Sequence, residues 1–75
     1  TVFPNPVQTA LYVGEAMNNK DFMTFRIFDI TGTVVKSGIY HDSIDVSNMP
    51  EGVYVIVLSD KMGQMSMHSK FVKIR

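Results

Sequence analysis

The sequence predicts an all-β fold of about seven short strands, arranged as a β-sandwich or a barrel. Short runs rich in Val, Ile, Phe, Tyr and Thr recur along the chain, and these residue types favour strands. Gly, Pro, Asn and Asp separate the runs at the spacing of about 8–12 residues that is typical of β-sandwiches and barrels. No window of about 11 residues carries the apolar stripe of an amphipathic helix. These three observations together predict the fold class.

The length of the chain limits what it can do. Its 75 residues and 8.4 kDa suffice for a single domain spanning residues 1–75. Folding buries about 60% of the surface of such a chain, so the core is thin and leaves little room for an enclosed active site. We therefore expect no enzyme. The sequence begins at Thr1 without a leader pattern, so we expect it to be a segment of a longer protein.

Charge and composition exclude several classes of partner. Seven basic and seven acidic side chains cancel, so there is no basic surplus for binding a nucleic acid. No apolar run approaches the 18 or so residues of a membrane-spanning helix. The absence of cysteine removes disulfides, thiolate metal sites and thiol nucleophiles. We expect no nucleic acid, no membrane span and no cofactor.

The first elements are defined by proline. Pro4-Asn5-Pro6 restricts the backbone to extended conformations and cannot begin a helix or lie in a central strand. We expect Thr1–Pro6 to be a linker or first strand, with Pro4 and Pro6 as turn residues. A short strand should follow at Ala10–Val13.

A hairpin is predicted in the middle of the chain. A strand at Phe22–Ile30 runs into Asp29-Ile30-Thr31-Gly32, which is typical of a type I turn closed by a residue with positive φ. Asp29 should accept the amides of its own turn, and Gly32 should supply the left-handed backbone. The returning strand is expected at Thr33–Ile39.

The next segment combines a short strand, a break and a long strand. We expect strands at Ser43–Val46 and Val53–Leu58, separated by the breaker cluster Met49-Pro50-Glu51-Gly52. The second run is β-branched and short, which favours a central strand covered on both faces. Tyr54 can return its hydroxyl to the breaker backbone, as in the tyrosine corner of sandwich folds.

The last segment, Met65–Ile74, alternates and predicts a strand, with a bulge expected near Ser69 and Lys70. Lys61–Gln64 should close a hairpin in front of it. Within this strand, Lys70–Arg75 alternates cationic and apolar residues. Two interpretations stay open, a half-buried last strand with Phe71 or Val72 inward, or an exposed tag that a receptor reads by strand addition.

Three groups of residues invite a chemical interpretation. His41, Asp42, Ser43 and Asp45 supply catalytic residue types, but alternate residues of an extended chain face opposite ways, and we interpret them as an exposed turn. Asp42 and Asp45 could form at most a weak surface calcium site, because the calcium-loop pattern is missing. Met62, Met65 and Met67 are interpreted as soft core filler, with an adaptable contact surface as the alternative.

Taken in order, the motifs resemble a known family. They are Pro4-Asn5-Pro6, Phe25-x-Ile27-Phe28-Asp29-x-x-Gly32-x-Val34-Val35, Asp45-Val46-Ser47-x-Met49-Pro50-x-Gly52-Val53-Tyr54 and Lys70-Phe71-Val72-Lys73. This series resembles the type A C-terminal sorting domain of the type IX (Por) secretion system of Bacteroidetes bacteria. The resemblance extends from Phe3 to Lys73 and implies that the fold is an immunoglobulin-like antiparallel β-sandwich.

The resemblance implies a function. Such domains lie at the C-terminal end of large secreted proteins that reach the periplasm. The type IX translocon recognises the domain and carries the protein across the outer membrane to the cell surface or the medium. In many members a sortase then removes the domain and attaches the cargo to the surface. The residues implied in recognition are Lys70, Phe71, Val72, Lys73, Gly52 and Tyr54.

One alternative function stays open. An immunoglobulin- or fibronectin-like accessory module for adhesion or glycan binding would share this fold. It should expose an aromatic platform, for which Tyr12 and Tyr40 are the candidates.

Overall fold

The computed structural model describes residues 2–13, 23–60 and 65–75, and these residues form seven strands in two antiparallel sheets. The predicted all-β class is confirmed, and the arrangement is that of a small β-sandwich. No helix long and apolar enough to cross a membrane occurs in the described part of the chain. The strands are β1 Val2–Phe3, β2 Ala10–Val13, β3 Met23–Phe28, β4 Val34–Tyr40, β5 Ile44–Asp45, β6 Gly52–Ser59 and β7 Met65–Lys73.

The two sheets enclose one apolar core. The smaller sheet has the order β1-β2-β5, and the larger has the order β4-β3-β6-β7, which places β7 at an edge. Strands from both sheets contribute side chains to the core because every second residue of a half-buried strand faces inward. The largest fully buried side chains are Phe71, Leu11, Ile27, Ile44, Ile56, Leu58, Val7 and Val46.

The turn between β3 and β4 forms as the sequence predicts. The Gly32 amide donates to the Asp29 carbonyl at 3.0 Å, and Gly32 has a φ of 88°. Asp29 Oδ1 accepts the amides of Thr31 and Thr33 at 2.9 and 3.1 Å. The register shifts between Ile27 and Phe28, so the hairpin closes with a bulge.

The prediction that Val53–Leu58 is covered on both faces is wrong. β6 is central in its sheet, and Tyr54, Ile56 and Leu58 are buried along its inner face. On the other face Val53 is 40% exposed, and Val55 is half-buried. Each sheet of a two-layer sandwich faces only one other sheet, so one face of a central strand keeps contact with solvent.

The predicted bulge near Ser69 and Lys70 is also wrong. The register shift in β7 falls where Leu58 pairs with Met67 and Ser59 pairs with Met65, so the extra residue is Ser66. From Met67 to Lys73 the pairing with β6 is unbroken. Phe71 and Lys73 therefore both face inward, as the two-residue period of a regular strand requires. The hairpin expected at Lys61–Gln64 lies outside the described residues.

Candidate functional site

Alternation along β7 divides the segment Lys70–Lys73 between two faces of the sheet. Phe71 and Lys73 are buried on the inner face, whereas Lys70 is exposed and Val72 is half-buried on the outer face. Consecutive strand residues point to opposite sides, so one partner surface cannot contact all four side chains at once.

The inner residues are part of the core. The ring of Phe71 stacks on Tyr54 with centroids 5.7 Å apart and an interplanar angle of 26°. The Tyr54 hydroxyl donates to the Pro50 carbonyl at 2.7 Å, so the predicted return to the breaker backbone is present. A Cβ added at Gly52 would lie 3.7 Å from the Tyr54 ring, so this glycine packs beside the tyrosine. Tyr54 and Phe71 thus stabilise the end of the sandwich that carries the C-terminal segment.

The outer residues belong to an apolar sheet face. Val72 pairs with Val53, and Lys70 pairs with Val55, so these four side chains lie side by side on the outer face of the larger sheet. Val53 is 40% exposed. A cationic side chain therefore borders an accessible β-branched surface.

The outer edge of β7 is occupied near its end by the N-terminal segment. Asn5 Oδ1 accepts the Val72 amide at 2.9 Å, and Asn5 Nδ2 donates to the Lys70 carbonyl at 3.4 Å. The Val7 amide donates to the Val72 carbonyl at 2.9 Å, and the Ile74 amide donates to the Val7 carbonyl at 2.8 Å. Strand addition along this stretch would have to displace Asn5 and Val7.

Sequence reasoning missed this role of Asn5. The Pro4-Asn5-Pro6 motif signalled a special backbone, and both prolines lie in bends outside the strands. The residues that Asn5 contacts are 65 and 67 positions away in the sequence, however. No local pattern could reveal that pairing.

A cleft lies at the end of the sandwich near the C-terminal segment. Its volume is about 550 Å³, and Lys73 is the buried cation among its lining residues. Lys73 Nζ donates to the Ile74 carbonyl at 2.9 Å. Arg75 Nε forms an ion pair with Glu51 at 3.2 Å between two exposed side chains. The cleft is lined by Gln8, Thr9, Ser47, Met49, Pro50, Glu51, Lys73 and Arg75.

Two aspartates in exposed turns have a lowered side-chain pKa. The Thr31 hydroxyl and the amides of the turn hold the pKa of Asp29 below its usual range. The hydroxyl and amide of Ser47 lower the pKa of Asp45 in the same way, with a smaller contribution from Lys36. Both shifts come from hydrogen bonds that favour the carboxylate, and they mark turn stability rather than catalysis.

The remaining polar candidates lie at the surface. His41, Asp42 and Ser43 form an exposed bend, as the sequence predicts. Asp45 Oδ1 accepts hydrogen bonds from the amide and the hydroxyl of Ser47, at 2.9 and 2.7 Å. In the part of the chain that the structure describes, no group of three or more His, Cys, Asp or Glu could hold a metal ion.

The aromatic candidates differ from each other. Tyr12 stacks on Phe3 with centroids 5.6 Å apart, and the two side chains are 40% and 49% exposed. Tyr40 is half-buried, and its hydroxyl accepts the Val13 amide and donates to the Asp42 carbonyl. The exposed aromatic pair is therefore Phe3 with Tyr12, and sequence reasoning had not nominated Phe3.

The methionine cluster is described only in part. Met67 is half-buried and packs against the core, in agreement with a role as filler. Met62 and the side chain of Met65 lie outside what the structure describes.

Comparison with protein families adds an independent observation. The family model described as the secretion system C-terminal sorting domain matches residues 1–74. Neither the comparison with curated proteins nor the comparison with solved structures finds a match. The family match spans the four motifs on which the resemblance rests, from the first proline turn to Lys73. The chain therefore belongs to the family of secretion-system C-terminal sorting domains and is a sorting signal of the type IX system.

Proposed function

We propose that this domain directs an upstream cargo through the periplasm and across the outer membrane, and that a sortase-like enzyme then removes it and attaches the cargo to the cell surface. Membership in the family implies a cargo in the same chain and a secretion system that exports it toward the surface or the medium. The family is not an enzyme family. The match over residues 1–74 is the observation that carries the proposal.

The recognition residues act in two ways in this proposal. Lys70 and Val72 contact the translocon directly, because their side chains lie on the accessible outer face. Phe71, Tyr54 and Gly52 hold the strand in place through their packing in the core. Lys73 contributes to recognition from the wall of the cleft at the end of the sandwich.

An export assay tests the proposal. A signal peptide, a fluorescent reporter and residues 1–75 are fused and expressed in a bacterium with an intact type IX system, and the cells are fractionated. We expect the reporter at the surface or in the medium, and in the periplasm when the translocon is disabled. Retention in the periplasm despite a folded domain would contradict the proposal.

Point variants locate the signal better than truncation. Removing Lys70–Arg75 should block export, but it also deletes the buried Phe71 and would unfold the domain. Lys70→Glu leaves the core intact and should lower export by about tenfold, the effect of losing about 1.4 kcal/mol of binding. Arg26→Glu is the matched control, because it reverses an exposed charge on the same outer face of the sheet but on β3, which β6 separates from β7. Equal loss with both variants would argue against recognition at β7.

Removal by a sortase has its own readout. The surface-bound reporter should lack residues 1–75 by mass spectrometry when cleavage occurs. A surface reporter that retains the whole domain would contradict removal and leave the export proposal intact.

The stacked pair Phe3 and Tyr12 favours one alternative, a glycan-binding accessory module. Exposed aromatic rings offer flat apolar surfaces of the kind that sugars stack on. Glycan-array binding that disappears with Tyr12→Ala would favour this function. Tyr40→Ala is a poor probe, because it removes two hydrogen bonds of the fold.

A further inference from the structure

Lys73 is a buried cation that is short of partners. The residue is 4% exposed, and its Nζ donates to one backbone carbonyl, that of Ile74. An ammonium group has three N–H donors. Within residues 2–13, 23–60 and 65–75, no carboxylate pairs with Lys73, and Glu51 beside the cleft is paired with Arg75 instead.

Without a ligand, burial of the Lys73 ammonium group lowers the stability of the fold. Burying a charge without an opposite charge is unfavourable, and the aliphatic stem of a lysine packs no better than a methionine of similar length. Structural packing therefore accounts for the stem of Lys73 but not for its ammonium group. The residue also lines the cleft of about 550 Å³, so a buried cationic side chain lies at the wall of this cleft.

The other residues lining the cleft complement an acidic side chain. Thr9 offers a neutral hydrogen-bonding group, and Met49 with Pro50 provides an apolar wall. Gln8 Nε2 already donates to the Arg75 carbonyl, and the Ser47 hydroxyl already donates to Asp45 Oδ1. The side-chain charges of Glu51 and Arg75 cancel in their ion pair, which leaves Lys73 as the net charge among the lining side chains.

We propose that this cleft binds the carboxylate of an acidic side chain on a protein of the secretion machinery. The carboxylate would accept hydrogen bonds from Lys73 Nζ and supply the opposite charge that the described residues lack. The inference rests on the proposed function, for which it names the chemistry of the partner. It adds a second contact point, at the end of the sandwich, to the outer face that carries Lys70.

A peptide titration tests the inference without any secretion system. The ¹⁵N-labelled chain is titrated at constant ionic strength with acetylated, amidated Gly-Glu-Gly, with the Gly-Gln-Gly analogue, and with inorganic phosphate. We expect saturable shifts of the amide signals of Ser47, Glu51 and Lys73 with the glutamate peptide. Binding of the glutamine peptide should be weaker by at least about tenfold, because it lacks the charge.

Two lysine variants separate a specific site from general attraction. Lys73→Met should weaken binding of the glutamate peptide by at least about tenfold while the spectrum stays that of a folded protein. Lys73→Arg keeps the charge and should retain measurable binding if Lys73→Met disturbs the fold. Lys70→Met removes an exposed charge from the same strand and should leave binding within about twofold.

Three outcomes would overturn the inference. They are the absence of saturable shifts, equal losses with Lys70→Met and Lys73→Met, and tighter binding of phosphate than of the glutamate peptide. These outcomes leave the export assay untouched, so failure of the cleft proposal is distinguishable from failure of the sorting proposal.

Discussion

Gly32 supplies the left-handed backbone of the β3–β4 turn, with a φ of 88°. A Cβ at this position meets nothing within 4 Å, so the cost of substitution is conformational and involves no clash. We expect Gly32→Val to lower the free energy of unfolding by more than about 1 kcal/mol, because a β-branched residue resists positive φ. Urea denaturation measures the change. Gly32→Asn is the control and should lose less, since asparagine tolerates this region; an unchanged midpoint for the valine variant would contradict the assignment.

Asp29 makes the same turn sensitive to acid. Its pKa lies below the ordinary value because the Thr31 hydroxyl and the turn amides favour the carboxylate. A carboxyl whose pKa is lower in the folded state stabilises the fold above its ordinary pKa, and that contribution disappears as the pH falls through the folded pKa. We expect the urea midpoint to fall between about pH 5 and pH 2, and to fall less in Asp29→Asn, which accepts the same amides without titrating. Identical pH profiles would assign the acid sensitivity to other carboxyl groups.

At the scale of the element, β7 depends on a residue near the other end of the chain. Asn5 binds the Val72 amide and the Lys70 carbonyl and so occupies the edge of the strand. We expect Asn5→Ala to lower the free energy of unfolding by about 1 kcal/mol, the usual effect of losing such a bond. The amide of Val72 should also exchange faster with deuterium.

The control for this prediction is the same substitution elsewhere. Asn48 lies exposed in the turn before Met49, and Asn48→Ala should leave the exchange of Val72 unchanged. Unchanged exchange of Val72 in Asn5→Ala would show that the backbone bonds of Val7 hold the edge without the asparagine.

At the scale of the whole molecule, Phe71 links the C-terminal segment to the core. It is fully buried and stacks on Tyr54, so Phe71→Ala should cost about 3–5 kcal/mol. Small domains have marginal stability, so we expect this variant to be largely unfolded. Circular dichroism and urea denaturation measure the loss.

Val72→Ala is the matched variant on the adjacent residue. Val72 is half-buried on the outer face, so its truncation should cost much less and leave a folded domain. Comparable destabilisation by both variants would contradict the division of the segment into inner and outer residues. Export measured in the two variants then separates loss of fold from loss of recognition.

The sequence by itself determined the local features of this protein. Alternating β-branched runs predicted the all-β class and the approximate positions of the strands. The Asp29–Gly32 turn and the hydroxyl contact of Tyr54 were readable because each involves residues at most four positions apart. The ordered motifs indicated the family, which the match over residues 1–74 confirmed.

Only the tertiary structure decided what depends on contacts between distant residues. In the folded protein, one face of β6 is partly exposed, the bulge of β7 lies at Ser66, and Lys70 and Lys73 lie on opposite sides of the sheet. It also brought Asn5 to the edge of β7 and enclosed Lys73 beside a cleft. The physical reason is that local preference and periodicity act over a few residues, whereas burial, edge pairing and cleft formation depend on which strands pack together.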